Sequence, residues 1–252
     1  MERLLITGAA GRIGEVLRSG LRGTAGTMRL MDVTQLEAGE GEEVVQGDVR
    51  RLEDARRALA GCEAVVHLAG IPEEAPFEEI LEANIRGTYN VFEAARLEGC
   101  RRVVFASSNH AIGYYPVGEV IGPDAPVRPD SYYGASKVFG ESVGSLYHDR
   151  YGMEVVCLRI GAFQPEPKEP RHLWIWLSHR DTVQLVQRSL TAPDVGFLVV
   201  FGISANSRSW WRKDGWDRIG YQPVDDAEAY VDRVGDQLQY RFQGGEFAEP
   251  QR

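Results

Sequence analysis

Short, uninterrupted apolar runs alternate with helix-patterned segments through the first 160 residues, and that alternation limits the possible folds more than any other feature. Runs at 4–6, 28–31, 44–45, 64–69, 103–105 and 155–158 stop at turn-forming or polar residues. Between them Ile13, Leu17 and Leu21 recur at helical spacing, and helices are predicted over 52–59, 77–97 and 133–151. The runs do not alternate in polarity, as expected of strands covered on both faces. Parallel strands joined by right-handed helical crossovers give an α/β fold, a Rossmann-like doubly wound sheet with helices on both faces.

After Arg159 the pattern loosens. Residues 164–171 hold Pro165, Pro167 and Pro170 among mixed charges and read as a loop. A helix over 182–190, a strand over 197–201 and a helix over 225–234 follow. These pieces are too few for a core of their own. Residues 1–252 are therefore expected to form one domain, with roughly 160–252 contributing a small C-terminal substrate lobe over the strand ends.

The net charge of −9 argues against a nucleic-acid partner, and any anion site must be built locally. No apolar stretch approaches the ~20 residues of a membrane span. A strand-like run by residue 4 leaves no space for a leader before it. Cys62, Cys100 and Cys157 are odd in number and widely spaced. They fit reduced thiols, not a disulfide framework or a metal site. A cytoplasmic protein with no membrane partner and no metal is the expectation.

The segment Thr7-Gly8-Ala9-Ala10-Gly11-Arg12-Ile13-Gly14 places three glycines between the first strand and the first helix. A turn free of side chains lets the backbone N–H groups of a helix start meet a pyrophosphate, while Gly14 permits close helix–sheet packing. Gly8, Gly11, Arg12, Ile13 and Gly14 are the candidate phosphate-loop residues. Asp32 closes the second strand about twenty residues on, where a carboxylate accepts both ribose hydroxyls and repels an added phosphate. NAD is accordingly favoured over NADP. Asp48, followed by Val49, is a candidate adenine contact, with a turn-forming acid as the competing reading.

Tyr133-Gly134-Ala135-Ser136-Lys137 sets a phenol and an ammonium one helical turn apart on one face. A neighbouring Lys⁺ is expected to lower the titration of a phenol from its ordinary value near ~10. Tyr133 can then take a hydroxyl proton as hydride leaves the same carbon. Alone, such a pair is commonly solvent-facing; the glycine loop and Asp32 give it a role. Tyr132 competes for that role, and the lysine spacing selects Tyr133.

The TGxxGxxG start, the YxxxK pair and the strand order resemble the extended short-chain dehydrogenase/reductase family. The resemblance implies a serine completing the triad about 25 residues before the tyrosine, which falls on Ser108. Its hydroxyl would hold the substrate oxygen as charge develops. Asn84 matches a position that supports the lysine arrangement beside the cofactor, with plain helix packing as its alternative. His67-Leu68-Ala69-Gly70 resembles a strand-end motif lining the cofactor, which makes Leu68, Ala69 and Gly70 cofactor contacts and His67 structural.

Within that family, FASSNHAIGYYP (105–116), RIGAFQPEP (159–167), SANSRSWW (204–211) and RFQGG (241–245) resemble the bacterial uronate dehydrogenases over nearly the whole chain. This implies NAD-dependent oxidation of the C1 hydroxyl of galacturonate or glucuronate to an aldarolactone. Ser108, Asn109, His110 and Tyr133 would contact the sugar, and Arg171 its carboxylate, for which a planar bidentate donor is suited. The chain departs from that pattern at Pro72 and Ala162, each standing where a serine is usual. The other sugar dehydrogenases and nucleotide-sugar epimerases of the family are the alternative, and a non-catalytic NAD sensor is a more distant one. Such enzymes commonly assemble as homo-oligomers through the helices at 77–97 and 133–151, although core packing accounts for the apolar positions of those helices equally well.

Overall fold

The computed structural model describes residues 1–249. Seven parallel strands form the central sheet: β1 (Arg3–Thr7), β2 (Thr27–Asp32), β3 (Glu42–Gln46), β4 (Ala64–His67), β5 (Arg102–Ser108), β6 (Glu154–Ile160) and β9 (Phe197–Gly202). Their order is β3-β2-β1-β4-β5-β6-β9. Residue alternation along each strand explains the uninterrupted apolar runs. Leu4, Ile6, Val66, Val104 and Leu158 enter one buried cluster, while Leu5, Val65, Val103, Phe105 and Val155 enter another on the opposite face. Helices α1 (Arg12–Gly20) and α7 (His179–Thr191) cover the first face. The second face is covered by α2 (Leu52–Leu59), α4 (Gly87–Leu97) and α5 (Tyr132–Tyr151). β5 is buried at all seven positions, so its C-terminal Ser108 has a rigid base.

The chain leaves β1 toward β2 on one side and returns to β4 on the other, which opens a crevice between the loops after β1 and β4. The 77–97 helix forms with an interruption. It runs as α3 (Phe77–Ile80), a π turn at Leu81–Arg86 and then α4. The widened turn carries Asn84, whose side chain reaches Ile71 and Ser136.

Two expectations beyond Arg159 are corrected. The strand at 197–201 belongs to the main sheet as its β9 edge, paired with β6, and the helix before it packs against α1; neither is part of a lobe. The helix expected over 225–234 is a 3₁₀ turn at Ala227–Tyr230 followed by α9 (Val231–Val234). Asp226 caps it by accepting from Glu228 N at 2.9 Å, and Gly235 ends it at φ +73. What borders the cleft at the strand ends is β7 (Ala162–Phe163), paired with β8 (Trp176–Leu177), together with α6 (His172–Ile175) and Phe247 of the C-terminal segment, whereas α8 (Trp216–Ile219) packs against α7 and β9. No helix among the described residues is long and apolar enough to cross a membrane.

Candidate active site

The strand C-termini open into one cleft of about 920 Å³. At one end is the glycine turn. Gly8 has φ +68, and a Cβ there would lie 2.7 Å from Ala69 N; one at Gly14 would lie 2.6 Å from Ala9 O. Gly11 is the N-cap of α1 and brings no capping side chain, so the first N–H groups of the helix are available to an anion. Arg12, Ile13 and Gly14 line the cleft there. Asp32 sits at the end of β2, accepting from Ala10 N and Thr34 N at 2.9 Å each. Those bonds fix the carboxylate toward the crevice while each oxygen keeps a lone pair for a hydroxyl. Asp48 and Val49 line the same end. The Arg50 guanidinium, 2.6 Å away, holds the Asp48 carboxyl below its usual range.

Leu68, Ala69 and Gly70 form the opposite wall. Asn84 does not line the cleft: its amide accepts from Ile71 N at 2.7 Å and donates to Ile71 O at 3.0 Å, pinning the loop after β4. His67 bridges Thr7 at 2.8 Å and Thr88 at 3.2 Å. Burial pushes its titration down to about 3, so it is a neutral, structural ring. The three thiols are free and buried, with Cys62 pushed up to about 11 and Cys100 to about 12.

Tyr133, Lys137 and Ser108 meet at the middle of the cleft. Ser131 caps α5 by accepting from Gly134 N at 3.0 Å. Glu74 adds a second cap from the β4 side, accepting from Tyr132 N at 3.2 Å and Tyr133 N at 2.9 Å. The start of the helix carrying the phenol is thus held from two directions. The Lys137 ammonium lies 5.4 Å from the Tyr133 ring centre and 5.2 Å from that of Phe105. Burial lowers Lys137 to about 8. Burial also raises the Tyr133 phenol, opposed by the adjacent Ser108 hydroxyl. The expectation that Lys137 draws the phenol down is therefore not met by these protein groups, because desolvation is the larger effect.

Beyond the phenol lie Asn109, His110, Arg171, His172 and Phe247, with Pro72 and Ala162 also on the lining. Among the described residues Asn109 Nδ2 is buried without a hydrogen-bond partner, an unsatisfied donor of the kind a ligand meets. Arg171 donates to Gln243 O at 2.9 Å and to Glu169 at 3.3 Å. Sequence reasoning missed Phe247, which stacks on His110 at 4.3 Å between ring centres. It also missed Glu141 and Arg159, a buried bidentate pair at 2.9 and 2.8 Å whose carboxylate accepts from Ser107. Arg159→Met is expected to cost roughly 3–5 kcal/mol in urea unfolding by stranding Glu141. Adding Glu141→Leu should recover much of that loss, and an additive double variant would refute the pairing.

A glycine cradle at a helix start and a carboxylate at the β2 end fit a dinucleotide, and the centre places a phenol, a lysine and a serine for oxidoreduction beside it. The chain belongs to the NAD dependent epimerase/dehydratase family, whose model matches residues 4–183. Among its full-length relatives is the uronate dehydrogenase of Agrobacterium fabrum, 46% identical over 99% of this chain and 97% of that protein. A crystal structure of the Agrobacterium tumefaciens uronate dehydrogenase, a tyrosine-to-alanine mutant complexed with NAD, is 45% identical with a TM-score of 0.94. It covers 99% of this chain and 98% of its own. The glucuronic acid dehydrogenase of Chromohalobacter salexigens also gives a TM-score of 0.94, at 41% identity over 98% of this chain and 96% of its own.

Proposed function

We propose that the chain is a uronate dehydrogenase that oxidises the C1 hydroxyl of galacturonate or glucuronate with NAD⁺, giving an aldarolactone and NADH. The observation that carries this reading is the single cleft in which the glycine turn, the Tyr133–Lys137–Ser108 group and Arg171 follow one another. Gly8, Gly11, Arg12, Ile13, Gly14, Asp32, Asp48, Val49 and the 68–70 wall would hold NAD, which accepts hydride at its nicotinamide when bound. Ser108 holds the reacting oxygen, and Tyr133 removes its proton at the phenol oxygen as the carbon is oxidised. Lys137 keeps a positive charge beside the phenolate that this requires. Arg171 receives the carboxylate, with Gln243 and Glu169 fixing its guanidinium, and Asn109 and His110 read hydroxyls.

We further propose a cytoplasmic homo-oligomer. Tyr89 and Leu97 on α4, with Tyr132, Leu146 and Tyr151 on α5, leave apolar surface exposed for a second copy. Three free, buried thiols suit a reducing compartment.

The test of the reaction is NADH accumulation with galacturonate, glucuronate and their neutral parent sugars. Turnover of the acids is expected, whereas an epimerase would return its cofactor oxidised. Arg171→Ala should raise KM for the acids roughly 10- to 100-fold and leave any residual activity on neutral sugars unchanged. Equal use of acids and neutral sugars by the unmodified enzyme would remove Arg171 from its role.

A further inference from the structure

The side chain of Asp130 has no exposed surface and is not part of the cleft lining, yet it contacts His110, Ser131 and the backbone of Gly113 and Gly244 behind the sugar end. Its Oδ2 lies 2.7 Å from His110 Nδ1, and its Oδ1 accepts from Ser131 Oγ at 2.8 Å. Asp130 N donates to His110 O at 3.3 Å, so the two residues are joined through backbone and side chain. Ser131 is the N-cap of α5, two residues before Tyr133. Gly113 and Gly244 close over the carboxylate so tightly that a Cβ at either position would collide with Oδ2. They are joined by a bond from Gly244 N to Gly113 O at 2.8 Å. One carboxylate therefore ties together the turn after β5, the start of α5 and the C-terminal segment that carries Phe247.

We infer that Asp130 is a positioning residue that sets His110 as a hydrogen-bond acceptor for a substrate hydroxyl. A carboxylate can only accept, so the ring proton it engages is on Nδ1. The ring plane is fixed by Phe247, stacked at 4.3 Å, and by Tyr133, edge-on at 5.7 Å. His110 lines the cleft, and its Nε2 has no partner among the described residues, so this is the nitrogen presented to a ligand. The preceding residue, Asn109, lines the same cleft, and its Nδ2 is a buried donor without a partner among the described residues. An acceptor and a donor on consecutive residues of one cleft wall suit sugar hydroxyls, which donate to the one and accept from the other. Because the same carboxylate binds the N-cap serine of the Tyr133 helix, the hydroxyl-reading turn and the base are held in one register.

This inference rests on the sugar-oxidising reading, but its spectroscopic arm does not depend on activity. In ¹⁵N-labelled protein, the His110 ring is expected to carry its proton on Nδ1 with Nε2 bare. The reverse tautomer would overturn the inference whatever the substrate proves to be. Asp130→Asn can donate to the ring instead and reverse the tautomer. It is expected to lower kcat/KM for the uronate by roughly 10- to 100-fold. Across monodeoxy uronates, the unmodified enzyme should reject the one lacking the hydroxyl that His110 reads, and Asp130→Asn should lose that rejection. Ser131→Ala removes a cap while keeping the Asp130–His110 bond, so it should lower stability and leave both the tautomer and the deoxy rejection intact. An Asp130→Asn enzyme within about threefold of the unmodified kcat/KM, or one that still rejects the same analogue, would overturn the inference. Should that variant fail to fold, the tautomer of the unmodified protein decides.

Discussion

Tyr133→Phe is expected to lower uronate turnover by roughly 10³-fold or more while leaving NAD affinity within about threefold. The substitution removes the oxygen proposed to take the C1 proton and keeps the ring that packs edge-on against His110. The residues proposed to hold the dinucleotide lie on the loops after β1, β2, β3 and β4, away from that oxygen. Single-turnover NADH formation, set beside a direct NAD titration, separates the two properties. Turnover above about a tenth of the original would show that another group takes the proton. Loss of NAD binding would show that the ring supports the cofactor cleft. Since burial raises the phenol, activity is expected to rise with pH as the phenol ionises and to level off or fall once Lys137 loses its charge above about pH 8.

Lys137→Met should have the opposite effects on activity and stability. Burial lowers Lys137 from its ordinary 10.5 to about 8, a difference worth roughly 3 kcal/mol in the folding balance at neutral pH. The sign follows from proton counting. Between pH 8 and 10.5 the unfolded chain binds more protons at this site than the folded one, so its contribution to stability increases with pH across that window. Below pH 8 the full penalty is present. Methionine removes the charge and keeps the length, so the variant should be more stable than the parent at pH 7, by up to about that amount. The advantage should shrink above pH 8, and turnover should be nearly lost. Chemical unfolding at pH 7 and pH 9.5 measures this directly, and a variant less stable than the parent at pH 7 would refute it.

The parts of this protein legible in its sequence are those where one short segment does the whole job. The glycine turn, Asp32 at a strand end and the one-turn spacing of Tyr133 and Lys137 are each contained in a few consecutive residues. The strands were readable because both faces of the sheet are buried, which forces unbroken apolar runs. Asp130, Glu141, Arg159 and Phe247 were not readable, because each acquires its role from a partner far along the chain. Asp130 was one acid in a polar stretch, and only the fold sets His110 and Gly244 around it. Strand β9 was misplaced for a related reason. Its run resembles the others, but the loose pattern before it hid the crossover that returns it to the sheet. The π turn at Leu81–Arg86 left no mark in helical periodicity, since one extra residue shifts the apolar face only locally.

The two ends of the cleft hang from different parts of the sheet. The end proposed to hold the dinucleotide is carried by the loops after β1 to β4, whereas the far end is carried by the turn after β5, the β6–β7 turn, α6 and a C-terminal segment anchored through the buried Gln243. Replacements over 165–172 are therefore expected to retune which sugar is accepted without disturbing a strand pairing, whereas Ala162 and Phe163 are paired with β8 and Gly244 has no room for a side chain beside Asp130.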